Sequence, residues 1–250
     1  MEMFGRKVPM SASLLVWAAL WEIVGQLDLV SLIPPLSNVF MRLVEIVPTD
    51  SFIDAITLTA RSFAAGTSIA IVVGVPIGVL MGRSEIADKL LLPWVNVFVS
   101  APLTALVPII MALFGFGETT IILTVVLFAL WIIILDARAG TRSISTSLVE
   151  MARSYGASPW QAFTKIYVWA ALPEILAGIR LGLVRAIKGV IIGQLIVSVV
   201  GFGYLFEIYQ SNFLMEHMWA LLLVLFAIAF LIDGVLGYVE KRVEYYAASR

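Results

Sequence analysis

The sequence contains no cysteine and a single histidine, and only 13% of its residues are charged. Without cysteine the chain can form no disulfide framework, thiol nucleophile or thiolate metal site. The histidine, His217, stands in a short polar stretch with no second ligand type arranged around it, so we predict an interfacial residue there. A formal net charge of −1 excludes the broad basic surface that nucleic acid requires. We therefore predict neither a metal site nor a nucleic-acid partner.

Apolar residues dominate the composition of the sequence. They make up 61% of the 250 residues, and the mean hydropathy is +1.03. An apolar run of about 20 residues crosses the ~30 Å of bilayer hydrocarbon as a helix. Such runs cover residues 8–30, 62–81, 90–114, 119–135, 176–200 and 218–239. The sequence therefore predicts an all-α polytopic membrane protein with six transmembrane helices.

The first and third runs have features of their own. The first is predicted to be a retained span, because a cleaved signal peptide would have a shorter apolar core. Residues 31–54, which follow it, are predicted to form an extracytoplasmic loop with a short amphipathic helix. The third run contains Pro93, Pro102 and Pro108. Each proline removes a backbone donor, so this helix is predicted to be kinked or broken.

A polar interruption covers residues 147–173, between the fourth and fifth runs. Ser147 and Glu150 have the spacing of a capping box, which predicts that a first helix begins near Ser147. Gly156 can adopt the left-handed conformation that ends such a helix. Capping signals alone also fit an ordinary loop.

A second helix is predicted directly after Gly156. Ser158 and Gln161 supply another capping pair, and Pro159 occupies the first helical position, where its missing N–H costs nothing. Pro173 is predicted to lie beyond this second helix. The pattern therefore predicts two short helices joined by a break, and we call residues 147–173 the elbow.

Basic residues set the orientation, because cytoplasmic loops carry an excess of lysine and arginine. With the amino terminus in the cytoplasm, only Arg42 and Arg61 fall outside. The following basic residues then lie inside: Arg6, Lys7, Arg83, Lys89, Arg138, Arg142, Arg153, Lys165, Arg180, Lys241, Arg242 and Arg250. Both termini and the elbow are therefore predicted to be cytoplasmic.

The fifth run carries a stripe of small residues within an arc of about 80°. Its members are Gly178, Gly182, Ala186, Gly189 and Gly193. Small residues allow two helices to approach closely, so we predict helix contact here, either in the core or across a dimer axis.

The same run contains Arg185 and Lys188, roughly 14 and 18 Å into the span. Intramembrane charges usually face a cavity or a partner. Two interpretations remain open: the cations line a translocation path for an anion, or they pair with acids. The candidate acids are Asp136, Glu174 and Asp233.

The elbow resembles the EAA loop of ABC importer permeases. The features that carry the resemblance are Glu150, Ala152, Gly156, Ile166 and Leu172-Pro173. Met151 stands where a second alanine is usual, and Trp169 where the first of two prolines is usual. The resemblance implies that the elbow contains a coupling helix that docks on a cytoplasmic ATPase. The implied coupling residues are Glu150, Ala152, Gly156, Ala157, Ser158, Pro159 and Gln161.

Over residues 14–240 the chain is similar to the permeases of the nitrate, sulfonate and taurine class. The further features are Trp21-Glu22, Pro34-Pro35, Thr57 to Arg61, Gly74-x-Pro76-x-Gly78, Gly115-x-Gly117, Gly178-x-Arg180, Gly201-x-Gly203-Tyr204 and Asp233. The resemblance implies a type I ABC importer permease fold in a bacterial inner membrane. It divides the chain into an amino-terminal helix and loop (1–53), a permease domain (54–240) and a cytoplasmic tail (241–250).

The resemblance also implies a function and partners: alternating-access import of a small anion such as a sulfonate, nitrate or an organic acid. Two permease copies, two ATPases and an extracytoplasmic solute-binding protein would work together in the lipid membrane. The chain has no G-x-x-x-x-G-K-[ST] loop, so ATP and Mg²⁺ are expected on the ATPase and no cofactor in this chain. Lys188 stands where the class usually has an apolar residue, and Gln194 where it often has glutamate; both changes suit an anion.

Two other function classes fit the sequence less well. An ion-coupled secondary transporter would typically show interrupted helices in two related halves, but no internal repeat is clear and the elbow would have no purpose. An intramembrane hydrolase needs a nucleophile and a base. Only a serine–lysine arrangement remains, and no serine has a helical spacing that recommends it. We therefore predict a transport subunit that is not an enzyme.

Overall fold

The structure is a computed structural model and describes residues 2–3, 6–7, 10–30 and 32–248. The helices are α1 (Met10–Gln26), α2 (Leu36–Ile46), α3 (Asp50–Arg83), α4 (Glu85–Ser100), α5 (Val107–Phe114), α6 (Glu118–Arg142), α7 (Thr146–Ser154), α8 (Pro159–Ala162), α9 (Val168–Val197), α10 (Gly201–Ser211) and α11 (Met215–Ala248). A 3₁₀-helix covers Leu103–Leu106, a π-helix covers Phe163–Tyr167, and Glu2–Met3 pairs antiparallel with Arg6–Lys7. The described chain is therefore almost entirely helical, as predicted.

Helix α6 is the centre of the bundle and packs between α3 and α9. On α3, a Cβ added at Gly66 would lie 2.6 Å from Val125, and one added at Gly82 would lie 2.5 Å from Thr141. Contacts therefore advance in the same direction along α3 and α6, so these two helices run parallel. Small residues at this interface let the backbones approach closely. We call the end of the bundle at Arg142 the elbow end and the opposite end the far end.

Because α3 and α6 are parallel, the segment that joins them must run back from the elbow end of the bundle to the far end. α4 begins directly after α3 at the elbow end, where Val95 packs with Met81 and Ile134. α5 reaches the start of α6, where Thr120 donates a hydrogen bond to the carbonyl of Gly115. The two helices meet at a 98° bend just after Pro102. The predicted break in the third run is therefore confirmed.

Helices α2, α10 and α11 pack against the start of α3 at the far end. Phe202 on α10 lies edge-to-face with Phe52 on α3, at 5.7 Å between ring centroids. Glu216, in the first turn of α11, accepts a 2.8 Å hydrogen bond from Arg42 on α2. The hydrogen bond to Glu216, and then the one to Glu45, raises the pKa of Arg42 above its usual range. This guanidinium therefore stays charged and holds α2 against α11.

Helix α1 is attached at the far end by polar contacts to the proline-containing loop and to α2. Glu22 accepts hydrogen bonds from the backbone N–H and the hydroxyl of Ser37, in the first turn of α2. A carboxylate is stabilised near a helix amino terminus by the unpaired N–H groups there. Trp21 donates a 3.0 Å hydrogen bond to the carbonyl of Pro34, and its ring meets that of Trp219.

Several helices are suited to a membrane. Among the described residues, α3, α6 and the Met215–Val235 part of α11 are long and apolar enough to cross one. Counting the bent pairs α4 with α5 and α9 with α10 as one span each raises the number to five. Helix α1 has 17 residues, about 25 Å, against the predicted run of 8–30. By length and composition the structure therefore gives three to five spans rather than six.

The helices also extend past the predicted bounds. α3 begins at Asp50, within the predicted loop, and continues through the boundary placed between residues 53 and 54. α11 continues to Ala248, through most of the predicted tail. Residues 8, 9, 249 and 250 belong to the predicted first run and tail but lie outside the described residues. A helix continues through polar residues as long as the backbone N–H and C=O groups keep their hydrogen bonds within the helix.

Candidate functional site

The first helix of the elbow, α7, begins at Thr146, next to the predicted start near Ser147. Its N-cap is Ser145, and no side chain accepts a hydrogen bond from its first turn. Ser147 already lies within the helix, and its hydroxyl contacts that of Ser145. The predicted capping box of Ser147 with Glu150 is therefore wrong, because a residue with helical backbone cannot act as the N-cap.

The end of α7 is a Schellman motif centred on Gly156. Its N–H donates to the carbonyl of Arg153 at 2.9 Å, and the N–H of Ala157 donates to the carbonyl of Ala152 at 2.9 Å. Gly156 has φ +76°, a left-handed conformation that glycine adopts without the steric cost of a Cβ atom. The helix ends here, and the carbonyls of Ala152 and Arg153 in its last turn are both satisfied.

The second elbow helix begins with a reciprocal capping box. The backbone N–H of Ser158 donates to Oε1 of Gln161 at 2.9 Å, and the backbone N–H of Gln161 donates to Oγ of Ser158 at 3.2 Å. Pro159 is the first residue of α8, and its side chain is not among those the structure describes. The π-helix Phe163–Tyr167 then leads into α9.

Pro173 does not end the elbow. It lies inside α9, which begins at Val168 rather than near residue 176. Pro173 therefore lies beyond α8, as predicted, but inside the next helix rather than ahead of it. The helix accommodates this proline within its first two turns, on an exposed face, at the cost of one hydrogen bond to the carbonyl of Trp169.

The elbow exposes more apolar surface than its sequence suggested. Glu150, Gly156, Ser158 and Gln161 are exposed, Ala157 is half-buried and Ala152 is buried. Beside them, Tyr155 is 87% exposed, Trp160 70% and Met151 49%. Sequence reasoning did not select Tyr155 and Trp160. The available signal was two large aromatic residues within the only long polar interruption of this half of the chain.

The glycine stripe of α9 packs on α6 within the same chain. A Cβ added at Gly178 would lie 2.5 Å from Cβ of Asp136, and one added at Gly182 would lie 2.5 Å from Ile133. Gly189 faces Val125 and Phe128, and Gly193 faces Ile121 and Thr124. Contacts advance in opposite directions along the two helices, so α9 runs antiparallel to α6. Of the two alternatives for this stripe, the structure has the core contact.

Arg185 and Lys188 lie away from that interface. Arg185 is half-buried and Lys188 is exposed. The charge of Arg185 acts on the carboxyl group of Asp136, whose Oδ2 atom is buried without a hydrogen-bond partner among the described residues. Among the residues that the structure describes, no ion pair closer than 4.0 Å joins Arg185 or Lys188 to an acid. The structure therefore leaves the Lys188 side chain on an accessible face of the subunit.

Gln194 is enclosed within the subunit, where it joins three helices. Only 1% of it is exposed. Its Nε2 atom donates to the hydroxyl of Thr59 on α3 at 2.8 Å, and its Oε1 atom accepts from the backbone N–H of Phe202 on α10 at 2.9 Å. Predicted as a substrate-pathway residue, Gln194 instead has both ends of its amide engaged by the chain itself.

We expect Gln194→Leu to destabilise the protein. The leucine would leave the buried N–H of Phe202 without an acceptor, which costs about 1–3 kcal/mol. Thermal unfolding of the purified chain in detergent should therefore occur about 5 °C lower. Gln210→Leu, at an exposed position of α10, is the matched control and should unfold within about 2 °C of the wild type. Equal shifts for the two variants would contradict the structural role of Gln194.

Comparison with protein families gives a single assignment for most of the chain. The family model described as binding-protein-dependent transport system inner membrane component matches residues 74–245. This region runs from the middle of α3 through the elbow to the end of the bundle.

Two relatives and one solved structure agree with it. The taurine transport system permease protein TauC of Escherichia coli (strain K12) is 30% identical over 95% of this chain and 89% of its own length. The putative aliphatic sulfonates transport permease protein SsuC of Bacillus subtilis (strain 168) is 29% identical over 75% of this chain and 68% of its own. The inward-facing MetNI methionine ABC transporter shares the fold, with a TM-score of 0.63 and 22% identity over 77% of this chain and 96% of that chain. The chain therefore belongs to the family of binding-protein-dependent transport system inner membrane components, the permease subunits of ABC importers.

Proposed function

We propose that the chain is one of two permease subunits in an ATP-driven importer that carries a small sulfonate-type anion into the cytoplasm by alternating access. Two cytoplasmic ATPases, with ATP and Mg²⁺ bound to them, drive the cycle, and an extracytoplasmic binding protein delivers the solute. The second permease is a copy of the same chain. The observation that carries this proposal is the elbow, a pre-formed pair of capped helices with exposed aromatic side chains.

The orientation follows from the distribution of arginine and lysine over the two ends of the bundle. Arg83, Arg138 and Arg142 lie at the elbow end, whereas Arg42 and Arg61 lie at the far end. Cytoplasmic segments carry the excess of positive charge, so the elbow end faces the cytoplasm. With α1 as a sixth span, both termini are cytoplasmic in a bacterial inner membrane.

The elbow supplies the contact with the ATPase. Glu150, Ser158 and Gln161 form its exposed polar rim, while Tyr155 and Trp160 supply large aromatic groups. Aromatic residues surrounded by a polar rim are typical anchors of protein interfaces. Gly156 and the capping box of Ser158 fix the angle between α7 and α8, so a push on either helix moves the other.

The accessible cation on α9 supports an anionic solute. Lys188 lies about 18 Å into the bilayer span as counted from residue 176, too deep for an easy reach to the interface. A charge at this depth is costly unless it faces a cavity or a partner. TauC and SsuC are named for taurine and aliphatic sulfonates, which carry the sulfonate group that an ammonium binds. Arg185 lies one turn before Lys188 and adds positive charge to the same helix.

The test is uptake by the full complex of permease, ATPases and binding protein in vesicles. We expect uptake of an alkanesulfonate only when ATP is present on the ATPase side, and Lys188→Met should lower the rate about tenfold, since one charged hydrogen bond is worth ~1.5–3 kcal/mol. Lys89→Met, which removes an exposed lysine that pairs with Glu85 on the same helix, is the matched control and should leave the rate unchanged. Uptake driven by an ion gradient without ATP would contradict the proposal. Unchanged uptake by Lys188→Met would show that the charge of Lys188 does not contribute to the translocation path.

A further inference from the structure

A groove opens between α3 and α9 at the elbow end. At the far end the two helices are joined by the hydrogen bond of Gln194 to Thr59. Towards the elbow end a cavity of about 490 Å³ lies between them. Its walls are apolar and include Val75, Val79 and Ile175. No part of the transport cycle proposed above uses this groove.

The mouth of the groove carries a cation. Arg83, the last residue of α3, lines the groove and lies over the ring of Tyr167 on the π-helix, at 4.9 Å from the ring centroid. The ring holds the guanidinium at the mouth by a cation–π contact. The groove thus combines a long apolar wall with positive charge at one end, where α3 ends.

We propose that this groove binds an anionic phospholipid, with an acyl chain between α3 and α9 and the headgroup phosphate at Arg83. The positive charge of Arg83 favours a lipid with net negative charge, because basic pockets between membrane helices on the cytoplasmic side bind such headgroups. The larger apolar groove formed by α1, α2 and α11 has no charged lining residue, so it offers no comparable selectivity.

The groove is bordered by the parts of both helices that deform most easily. Pro76 lies on its α3 wall and removes one helical hydrogen bond there. The α9 wall begins at the π-helix Phe163–Tyr167, and π-helical turns often occur at functional positions. An acyl chain held here would set the separation between α3 and the helix that leaves the elbow. The lipid would therefore tune how the elbow is connected to the bundle.

The experiment is a lipid titration of the purified full-length chain, read by native mass spectrometry. Phosphatidylglycerol and phosphatidylcholine with identical acyl chains are compared. We expect about a fivefold preference for phosphatidylglycerol, the effect of one arginine near a headgroup, and no competition by inorganic phosphate. Arg83→Gln should abolish the preference. Lys89→Gln removes a neighbouring exposed cation outside the groove and should preserve it.

A second variant keeps the test independent of Arg83. Leu80 lines the groove and is 55% exposed, so Leu80→Trp should fill the groove and lower the binding of both lipids. Equal affinity for the two lipids, or a preference that survives Arg83→Gln, would overturn the proposal. Because the chain has no cysteine, Leu80→Cys introduces a single thiol. A disulfide-linked dimer of that variant would show a second copy in the groove and would also overturn the proposal. Only the assignment to the cytoplasmic leaflet rests on the proposed function, and lipid binding is measured without transport.

Discussion

Gly156→Leu is expected to reduce ATP-driven uptake about tenfold while the permease remains folded in the membrane. A Cβ atom at this position meets nothing within 4 Å, so the substitution has room. Its cost is conformational: φ is +76°, and an ordinary residue pays about 1–2 kcal/mol in the left-handed region. The chain relieves that strain by changing the angle between α7 and α8. ATP hydrolysis by the complex should persist without import.

Two further variants separate backbone conformation from bulk. Gly156→Asn should keep uptake within about threefold of the wild type, because asparagine tolerates the left-handed region and also ends helices. Gly115→Leu is the control at the far end: it too has a positive φ, +85°, and open space around it, and its ψ of 178° makes the backbone strain of a leucine at least as large as at Gly156. It should leave coupling intact. Normal uptake by Gly156→Leu would show that the elbow does not transmit the motion.

Asp88→Ala is expected to produce the largest loss of stability. Asp88, in the first turn of α4, accepts hydrogen bonds from Arg138 and Arg142 on α6, and its side chain is only 7% exposed. Removing the carboxylate leaves the largely buried guanidinium of Arg138 without its counter-charge. Breaking a buried ion pair costs about 3–5 kcal/mol. We expect about 3 kcal/mol here, because Arg142 is 43% exposed and keeps its contact with water.

Thermal unfolding of the purified chain measures this effect. A loss of about 3 kcal/mol lowers the midpoint by about 6–12 °C for a chain of this size. Glu85→Ala is the matched control, since Glu85 lies on the same helix and pairs with Lys89 while both side chains are highly exposed. Exposed pairs contribute about 0–1 kcal/mol, so its midpoint should move little. Equal midpoints for the two variants would show that Asp88 does not hold α4 to α6.

Local signals in the sequence predicted the local structure well. The break of the third span follows from its prolines, and the start of α8 follows from the spacing of Ser158 and Gln161. The glycine spacing of α9 indicated a close helix contact, although the sequence could not identify α6 as the partner. Each of these features depends on residues only a few positions apart, whose geometry the chain fixes directly.

The failures concern contacts between distant residues. Gln194 meets Thr59 across 135 positions, and Asp88 meets Arg138 across 50. No periodicity connects such residues, so the sequence alone suggested a place in the substrate pathway for Gln194 and no contact for Asp88. The wrong capping box of α7 has a different cause. Ser145 and Ser147 are both residues of a type that can cap, and the helix has Ser145 at its N-cap position without a hydrogen bond from its side chain.

The interlocking of α3, α6 and α9 has a mechanical consequence. Each glycine of the two interfaces accepts part of a side chain or the backbone of α6, so the three helices cannot slide past one another without steric collision. The amide of Gln194 fastens α9 to α3 at the far end. A displacement applied at the elbow is therefore expected to rotate α3, α6 and α9 together as one rigid unit. The flexible positions lie outside these helices, at the bend after Pro102 and at the contacts with other subunits.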